Sequence, residues 1–317
     1  MSEMRFRRMG NSGLKISVVG LGCNNFGRRV DKAGTARVVH SAIDCGITLF
    51  DTADVYGNGQ SEEFVGAAVR DRRDRVIIAT KFASPMGEGP MDRGGSREHI
   101  RRAVEGSLRR LGTEYLDVYQ MHWYDNETPM EETLSALSDL VCDGKVRYVG
   151  CSNYNGWQIA DALWISRLRG WAPFVSAQNH YSLLHRDVER EVIPSCAHFG
   201  LGMLPFFPLA GGMLTGKYRR GQEPPAGTRM AGNPNSGRFL NARNFDIVEE
   251  LERFAHNRGI SLLQIALGGL AAQSQVASVI AGATKPEQVV ANVEAGLWEP
   301  NEDDLAEINR ITERPGS

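Results

Sequence analysis

Apolar residues recur along this chain in two alternating patterns. Short apolar runs at residues 18–21, 48–50, 76–80, 116–121, 146–151, 174–178, 203–207 and 276–281 read as strands, and there are eight of them. Between them the apolar positions take a helical period with helix punctuation. Ser96 is placed to cap a helix whose apolar side is Ile100, Ala103, Val104, Leu108 and Leu111, with Gly112 at its end. Thr128 and Glu131 have the spacing of a capping box with Pro129 in the first turn, ahead of Leu134, Leu137, Leu140 and Val141. Ahead of the first run, residues 5–19 alternate around the turn signal Asn11, Ser12 and Gly13, which predicts a small hairpin.

Regular strand and helix alternation predicts a parallel sheet, because each crossover helix returns the chain to the same edge. An open doubly wound sheet and a closed barrel both satisfy this, and eight units favour an α/β fold of the (β/α)8 barrel type, a TIM barrel. Residues 84–95 and 219–239 break the pattern; both are rich in Gly and Pro, follow predicted strands, and are expected at the barrel mouth as lids or substrate walls. Leu305, Ile308 and Ile311 predict a last helix on the barrel exterior. With no linker composition anywhere, residues 1–317 are expected to form one domain.

Composition narrows the partners more than the fold. A formal charge of -2, from 36 basic and 38 acidic residues, gives no support for nucleic acid or an anionic membrane surface. The five cysteines, Cys23, Cys45, Cys142, Cys151 and Cys196, are widely spaced without a C-x-x-C or His/Cys cluster, which reads as reduced thiols and no zinc site. No apolar run is long enough for a membrane span, and the N-terminal residues lack the apolar core of a signal peptide. The expectation is a cytoplasmic protein.

The candidate chemistry is organised around LFDTADVYGNGQSEE, residues 49–63. A strand ends at Asp51, Tyr56 stands in a glycine-bounded loop, and Ser61, Glu62 and Glu63 open a helix. Taken in order, the strand ends carry Asp51, Lys81, His122, Ser152 with Asn153, Gln178, then Phe206 and Phe207. Singly, Asp51 reads as a helix cap, Lys81 as a solvated lysine and His122 as a structural histidine. In a barrel these positions meet at one mouth. A phenol with a reference pKa of about 10 is a weak acid unless its anion is stabilised. An ammonium does that, and a carboxylate holds the ammonium charged and in place. Tyr56, Lys81 and Asp51 suit those roles, with His122 orienting a carbonyl oxygen.

Proton donation to a carbonyl requires a hydride source, which side chains do not provide and a nicotinamide cofactor does. The Gly20-x-Gly22 pair after the first strand lacks a third glycine, since Asn25 stands there, so Rossmann-type binding is disfavoured. PLAGGMLTGKY, residues 208–218, is a glycine-rich turn suited to holding a pyrophosphate on backbone N–H groups. In GATKPEQVVAN, residues 282–292, Thr284 is placed to cap a helix toward Glu287. Lys285 in that first turn is unfavourable for the helix dipole unless an anion binds there, such as a ribose 2'-phosphate; otherwise it is a surface lysine.

These segments, together with ATK at residues 79–81, LDVYQMHW, VRYVGCSNY and the Gln178 strand, occur in an order that resembles the aldo-keto reductases over nearly the whole chain. The resemblance implies a barrel with a bottom hairpin that reduces carbonyls with NADPH. It places a catalytic tetrad on Asp51, Tyr56, Lys81 and His122, with Tyr56 as general acid. It assigns the nicotinamide carboxamide to Ser152, Asn153 and Gln178, and ring stacking to Phe206. Phe207, Pro208, Leu209, Ala210, Gly211 and Lys217 fall on the pyrophosphate loop, Gly282, Thr284, Lys285, Gln288 and Asn292 around the adenosine phosphate and adenine, and Cys23 and Asn24 near the ribose. Arg229 matches an arginine that some relatives fold over the cofactor.

Several positions depart from the family pattern. Phe206 and Phe207 stand where many relatives carry Tyr-Ser or Trp-Ser, Ala281 where a proline is common, and Gln288 where some branches have a phosphate-binding arginine. NADPH is expected ahead of NADH on the strength of Thr284, Lys285 and Arg229. The long-loop branch is also similar to the β subunits of potassium channels, so a cofactor-binding regulatory subunit is the alternative to a reductase of small-molecule carbonyls. A metal-dependent barrel enzyme is disfavoured because only Asp51 and His122 offer ligands at the strand ends. Asn25, Trp123, Tyr124 and the two long loops are expected to wall the substrate pocket. They do not select between sugars, small aldehydes and aromatic ketones, and no residue pattern selects an oligomeric state.

Overall fold

The computed structural model describes residues 3–313. The chain starts with an antiparallel hairpin of β1 (Phe6–Arg8) and β2 (Lys15–Ser17), as the alternation around Asn11 predicts. Eight parallel strands follow: β3 (Val19–Gly22), β4 (Leu49–Asp51), β5 (Ile77–Phe82), β6 (Leu116–Met121), β7 (Val146–Ser152), β8 (Phe174–Gln178), β9 (Gly202–Met203) and β10 (Val279–Gly282). Their spatial order is β10-β3-β4-β5-β6-β7-β8-β9. The ring closes where Met203 pairs with Val276 in parallel and Ile280 N–H donates to the Pro205 carbonyl at 3.0 Å. This is the (β/α)8 architecture expected from the sequence.

The helices α1 (Lys32–Asp44), α2 (Gln60–Val69), α3 (Arg97–Leu111), α4 (Met130–Cys142), α5 (Gly156–Arg169), α6 (Val192–Phe199), α7 (Ala242–Arg258), α8 (Leu262–Ala271), α9 (Pro286–Gly296) and α10 (Glu302–Thr312) complete the fold. Ser96 caps α3 by accepting from the His99 N–H, and Gly112 ends it in the left-handed region at φ 62°. On α10, Ile308 and Ile311 pack with Val248, Leu251 and Ile265 of α7 and α8, outside the strands.

The strand expected over 276–281 begins only at Val279, and two further predictions differ. The strand expected over 203–207 is only two residues long, because Pro205 has no N–H for a ladder and Phe207 turns into the left-handed region at φ 54°. Thr128 does not cap α4: its hydroxyl donates back to Asp125 Oδ2 at 2.7 Å, and Pro129 occupies the cap position.

Strand periodicity places the site. Leu49, Ile77, Ala79, Val118, Tyr148 and Ile280 pack together with Met9 and Ile16 of the hairpin region. Two residues further along each strand, the same face carries Asp51, Lys81, Gln120, Gly150 and Gly282. The inward face therefore runs from apolar at the hairpin end to polar at the carboxyl end.

Candidate active site

At the carboxyl ends of β4 and β5 lies a buried ion pair. Lys81 is 0% exposed, and its Nζ donates to Asp51 Oδ1 at 2.7 Å, Asp51 Oδ2 at 2.8 Å and the Thr52 carbonyl at 2.8 Å. The Tyr56 hydroxyl is 3.5 Å from the same Nζ. Asp51 is held from the other side by Gln178, whose Nε2 donates to Oδ1 at 2.7 Å. Burial is the largest single influence and works against the Lys81 charge, but Asp51 and Tyr56 together outweigh it and leave the ammonium more basic than usual. For Tyr56 the balance differs from the sequence expectation. Burial pushes the phenol up, Lys81 only partly offsets this, and the group stays a protonated phenol through neutral pH.

Tyr56 reaches this point because the loop after β4 is a tight turn, with Tyr56 N–H donating to the Ala53 carbonyl and Ser61 N–H to the Tyr56 carbonyl, each at 3.2 Å. Its ring meets His122 edge to face, with centroids 5.9 Å apart. Burial and the Lys81 charge lower the His122 pKa to about 3, so the imidazole is neutral. Its Nδ1 pairs with the Ser84 hydroxyl at 3.2 Å. Trp123 stacks on it at 5.8 Å.

A cavity of about 900 Å³ opens above these groups. Tyr56, His122 and Asp51 line it, while Lys81 lies behind them, out of reach of solvent. Every expected cofactor residue faces this cavity except Ala210. Ala210 is 1% exposed and packs with Met213 and Leu214 of its own turn, so its side chain belongs to a core.

The far side of the cavity is cationic. Lys217, Arg229 and Arg29 line it, and none has a carboxylate partner among the described residues. Burial first, then the neighbouring Arg29 charge, lowers the pKa of both Lys217 and Arg229. Crowded cations of this kind suit an anion. Gly212, at φ 102°, leaves room for Lys217; a Cβ there would lie 2.7 Å from its Nζ. Arg29 donates to the Gly227 carbonyl at 2.8 Å and Arg229 to Asn25 Oδ1 at 3.3 Å, so the 226–229 stretch of the long loop reaches the β3–α1 connection across the cavity.

The α9 start differs in detail from its prediction. Lys285 is the cap residue and Pro286 the first helical one; Thr284 is tied through both N–H and hydroxyl to Gln288 Oε1, at 2.8 and 3.1 Å, rather than to Glu287. Lys285 thus stands at a helix N-terminus that lines the cavity, where an anion is favourable.

Residues 84–95, expected as a wall, do not line the cavity. Asp92 ties that loop on itself, accepting from Gly89 N–H at 3.0 Å, and Met91 O pairs with His99 of α3 at 3.1 Å. Tyr124 is also absent from the wall, engaged edge to face with Tyr154 and Trp157. Sequence reasoning did not single out Arg29, nor Ser84, Thr215 and Thr228 within the segments it expected at the mouth or the pyrophosphate turn. These are ordinary polar residues on irregular loops, with no periodic or capping signal. No group of three or more His, Cys, Asp or Glu suited to a metal occurs among the described residues, and no described helix is long and apolar enough to cross a membrane.

Residues 18–313 match the family model of the aldo/keto reductase family. The chain belongs to the aldo/keto reductase family. Among its aldo/keto reductase relatives is a protein of Oryza sativa subsp. japonica described as a probable voltage-gated potassium channel subunit beta, 37% identical over 92% of this chain and 91% of its own. The L-glyceraldehyde 3-phosphate reductase of Escherichia coli K12 is also 37% identical, over 92% and 88% of the two chains. The versiconal hemiacetal acetate reductase of Aspergillus parasiticus is 34% identical over 93% and 94%. Aldo/keto reductase membership thus extends across the whole barrel, from β3 to the end of α10.

Proposed function

We propose that this protein reduces an aldehyde or ketone to the alcohol with NADPH, Tyr56 giving the proton. The observation that carries this reading is the Lys81 ammonium, held by both oxygens of Asp51 and lying 3.5 Å from the Tyr56 hydroxyl beneath an open cavity. The cavity suits a dinucleotide: a Phe206 ring lines it near the polar strand ends, and cations with no carboxylate partner among the described residues line it further out. Ser152, Asn153 and Gln178 would hold the nicotinamide carboxamide, Phe206 the ring, Lys217 and Arg229 the pyrophosphate, and Thr284 and Lys285 the 2'-phosphate. When bound, the cofactor supplies the hydride from its nicotinamide.

The protein's part is to hold the carbonyl oxygen and move one proton. With the Ser84 hydroxyl donating to Nδ1, the neutral His122 carries its ring proton on Nε2 and donates it to that oxygen. As negative charge develops on the oxygen, the Tyr56 hydroxyl proton is transferred to it, and the phenolate left behind faces the Lys81 ammonium. Asp51 keeps that ammonium charged in a buried site, where an unpaired cation would lose its proton.

Following nicotinamide absorbance with a panel of sugars, small aldehydes and aromatic ketones tests this, with NADPH and NADH in parallel. Carbonyl-dependent NADPH oxidation supports it; absence of nicotinamide binding overturns it. The match to a channel β-subunit relative favours a second reading, a cofactor-binding regulatory subunit with little turnover. Tight NADPH binding without turnover, and copurification of a membrane partner, would favour that reading.

A further inference from the structure

Behind the Asp51–Lys81 pair lies a second buried polar layer. Glu62 of α2 is 0% exposed, accepts from the Thr80 hydroxyl at 2.5 Å and pairs with Arg110 Nε of α3 at 2.7 Å. Asp54, 1% exposed, sits in the turn between Asp51 and Tyr56. Its Oδ1 accepts from the Val55 N–H at 2.6 Å, and its own N–H donates to the Lys81 carbonyl at 3.2 Å. Its Oδ2 is buried without a hydrogen-bond partner, as is the hydroxyl of Tyr119 on β6.

The two cations of this region are already committed, Lys81 to Asp51 and Arg110 to Glu62. Asp54 is the carboxyl left over. An ionised carboxylate with an unsatisfied oxygen in such a place is strongly disfavoured, and the group neutralises instead. We propose that Asp54 is a positioning residue working as a neutral carboxylic acid: one oxygen holds the Val55 amide and sets the turn that aims Tyr56, and the other carries a proton into the buried layer. This rests on Tyr56 being the proton donor. The groups facing Asp54 are Lys81, Glu62, Arg110 and Tyr119, and burial followed by the Glu62 charge raises its pKa to about 7. Above that pH the Asp54 anion acts on the Lys81 ammonium and weakens its hold on a developing phenolate.

The test compares wild type with Asp54→Asn and Asp54→Ala, measuring kcat, carbonyl KM and NADPH affinity between about pH 5 and 9. Asp54→Ala is expected to lose kcat by roughly ten- to a hundredfold, the scale of a misplaced reacting group, with NADPH affinity within about twofold of wild type. Asp54→Asn, a neutral isostere, is expected to restore kcat and to lack the decline that wild type shows as pH rises past about 7. Infrared difference spectra of wild type against Asp54→Asn read the protonation without any turnover: a protonated-carboxyl C=O band should be present at acid pH and vanish through the same range. A band absent at every pH, or an Asp54→Asn profile identical to wild type, overturns the proposal. Undiminished turnover in Tyr56→Phe would instead overturn the role of Tyr56, and the infrared band would then still decide the state of Asp54.

Discussion

Gln178 on β8 donates to Asp51 on β4 at 2.7 Å, joining opposite parts of the ring through the carboxylate that holds Lys81. Lys81 is therefore the centre of a braced unit. Lys81→Met leaves Asp51 buried and uncompensated, a change that costs about 3–5 kcal/mol when one partner of a buried pair is removed. The expected outcome is loss of turnover with a lowered denaturation midpoint, read by urea unfolding beside steady-state kinetics. Wild-type turnover in a folded Lys81→Met would contradict the role given to the ammonium.

Tyr56→Phe removes one hydroxyl and keeps the ring. Carbonyl reduction should fall by about 100-fold or more, the scale of general acid catalysis, while NADPH fluorescence titration returns the wild-type affinity.

His122 should contribute no kinetic limb near its ordinary pKa, because its imidazole stays neutral down to about pH 3. His122→Ala should lower kcat/KM for the carbonyl by about 100-fold, in the range for losing one preorganised donor. A limb near neutrality that disappears in this variant would show that His122 titrates there.

Lys285 separates the two cofactors. Lys285→Met should weaken NADPH binding by about 1.5–3 kcal/mol, the range for a hydrogen bond to a charged group, and leave NADH unchanged. Equal losses for both would place the lysine on a group the two cofactors share.

Asp54 also predicts a stability effect. The folded-state pKa is raised from 3.8 to about 7, so the native state keeps a proton that the unfolded chain releases, and wild type loses stability as pH rises across that window. Asp54→Asn has nothing to release. Its stability relative to wild type should therefore increase from about pH 4 to 7, by at most about 4 kcal/mol, and level off above. Chemical denaturation at the two ends of the window measures this.

The barrel was legible because strand and helix periodicities differ and each unit repeats both. The catalytic candidates were legible for a related reason: Asp51, Lys81 and His122 are polar residues where a strand leaves a core, and periodicity counts them onto one face. What escaped lies on irregular backbone. Ser84 follows Ala83, which takes the left-handed region at φ 82°, and nothing in the local composition announces that turn. The 84–95 loop has the glycine and proline content of a lid, yet Asp92 ties it on itself and the Met91 carbonyl holds it to His99 of α3, pairings that composition does not encode. The direction of the Tyr56 shift was missed because a pairwise argument sees Lys81 and not the burial that outweighs it.

The short β9 gives the ring a seam. Between β9 and β10 the pairing is carried by Met203 with Val276 and a few adjoining backbone bonds, whereas β5, β6 and β7 are laced along their length. Phe206 and Gly282, the cavity residues on either side of that seam, both fall on positions where the family resemblance implies cofactor contact. A bound dinucleotide would thus act as a rivet across the loosest joint of the barrel, and its affinity would include the free energy of closing it. Amide hydrogens of Met203, Leu204 and Ala277 should then exchange more slowly with NADPH bound, while those of β6 keep their rates.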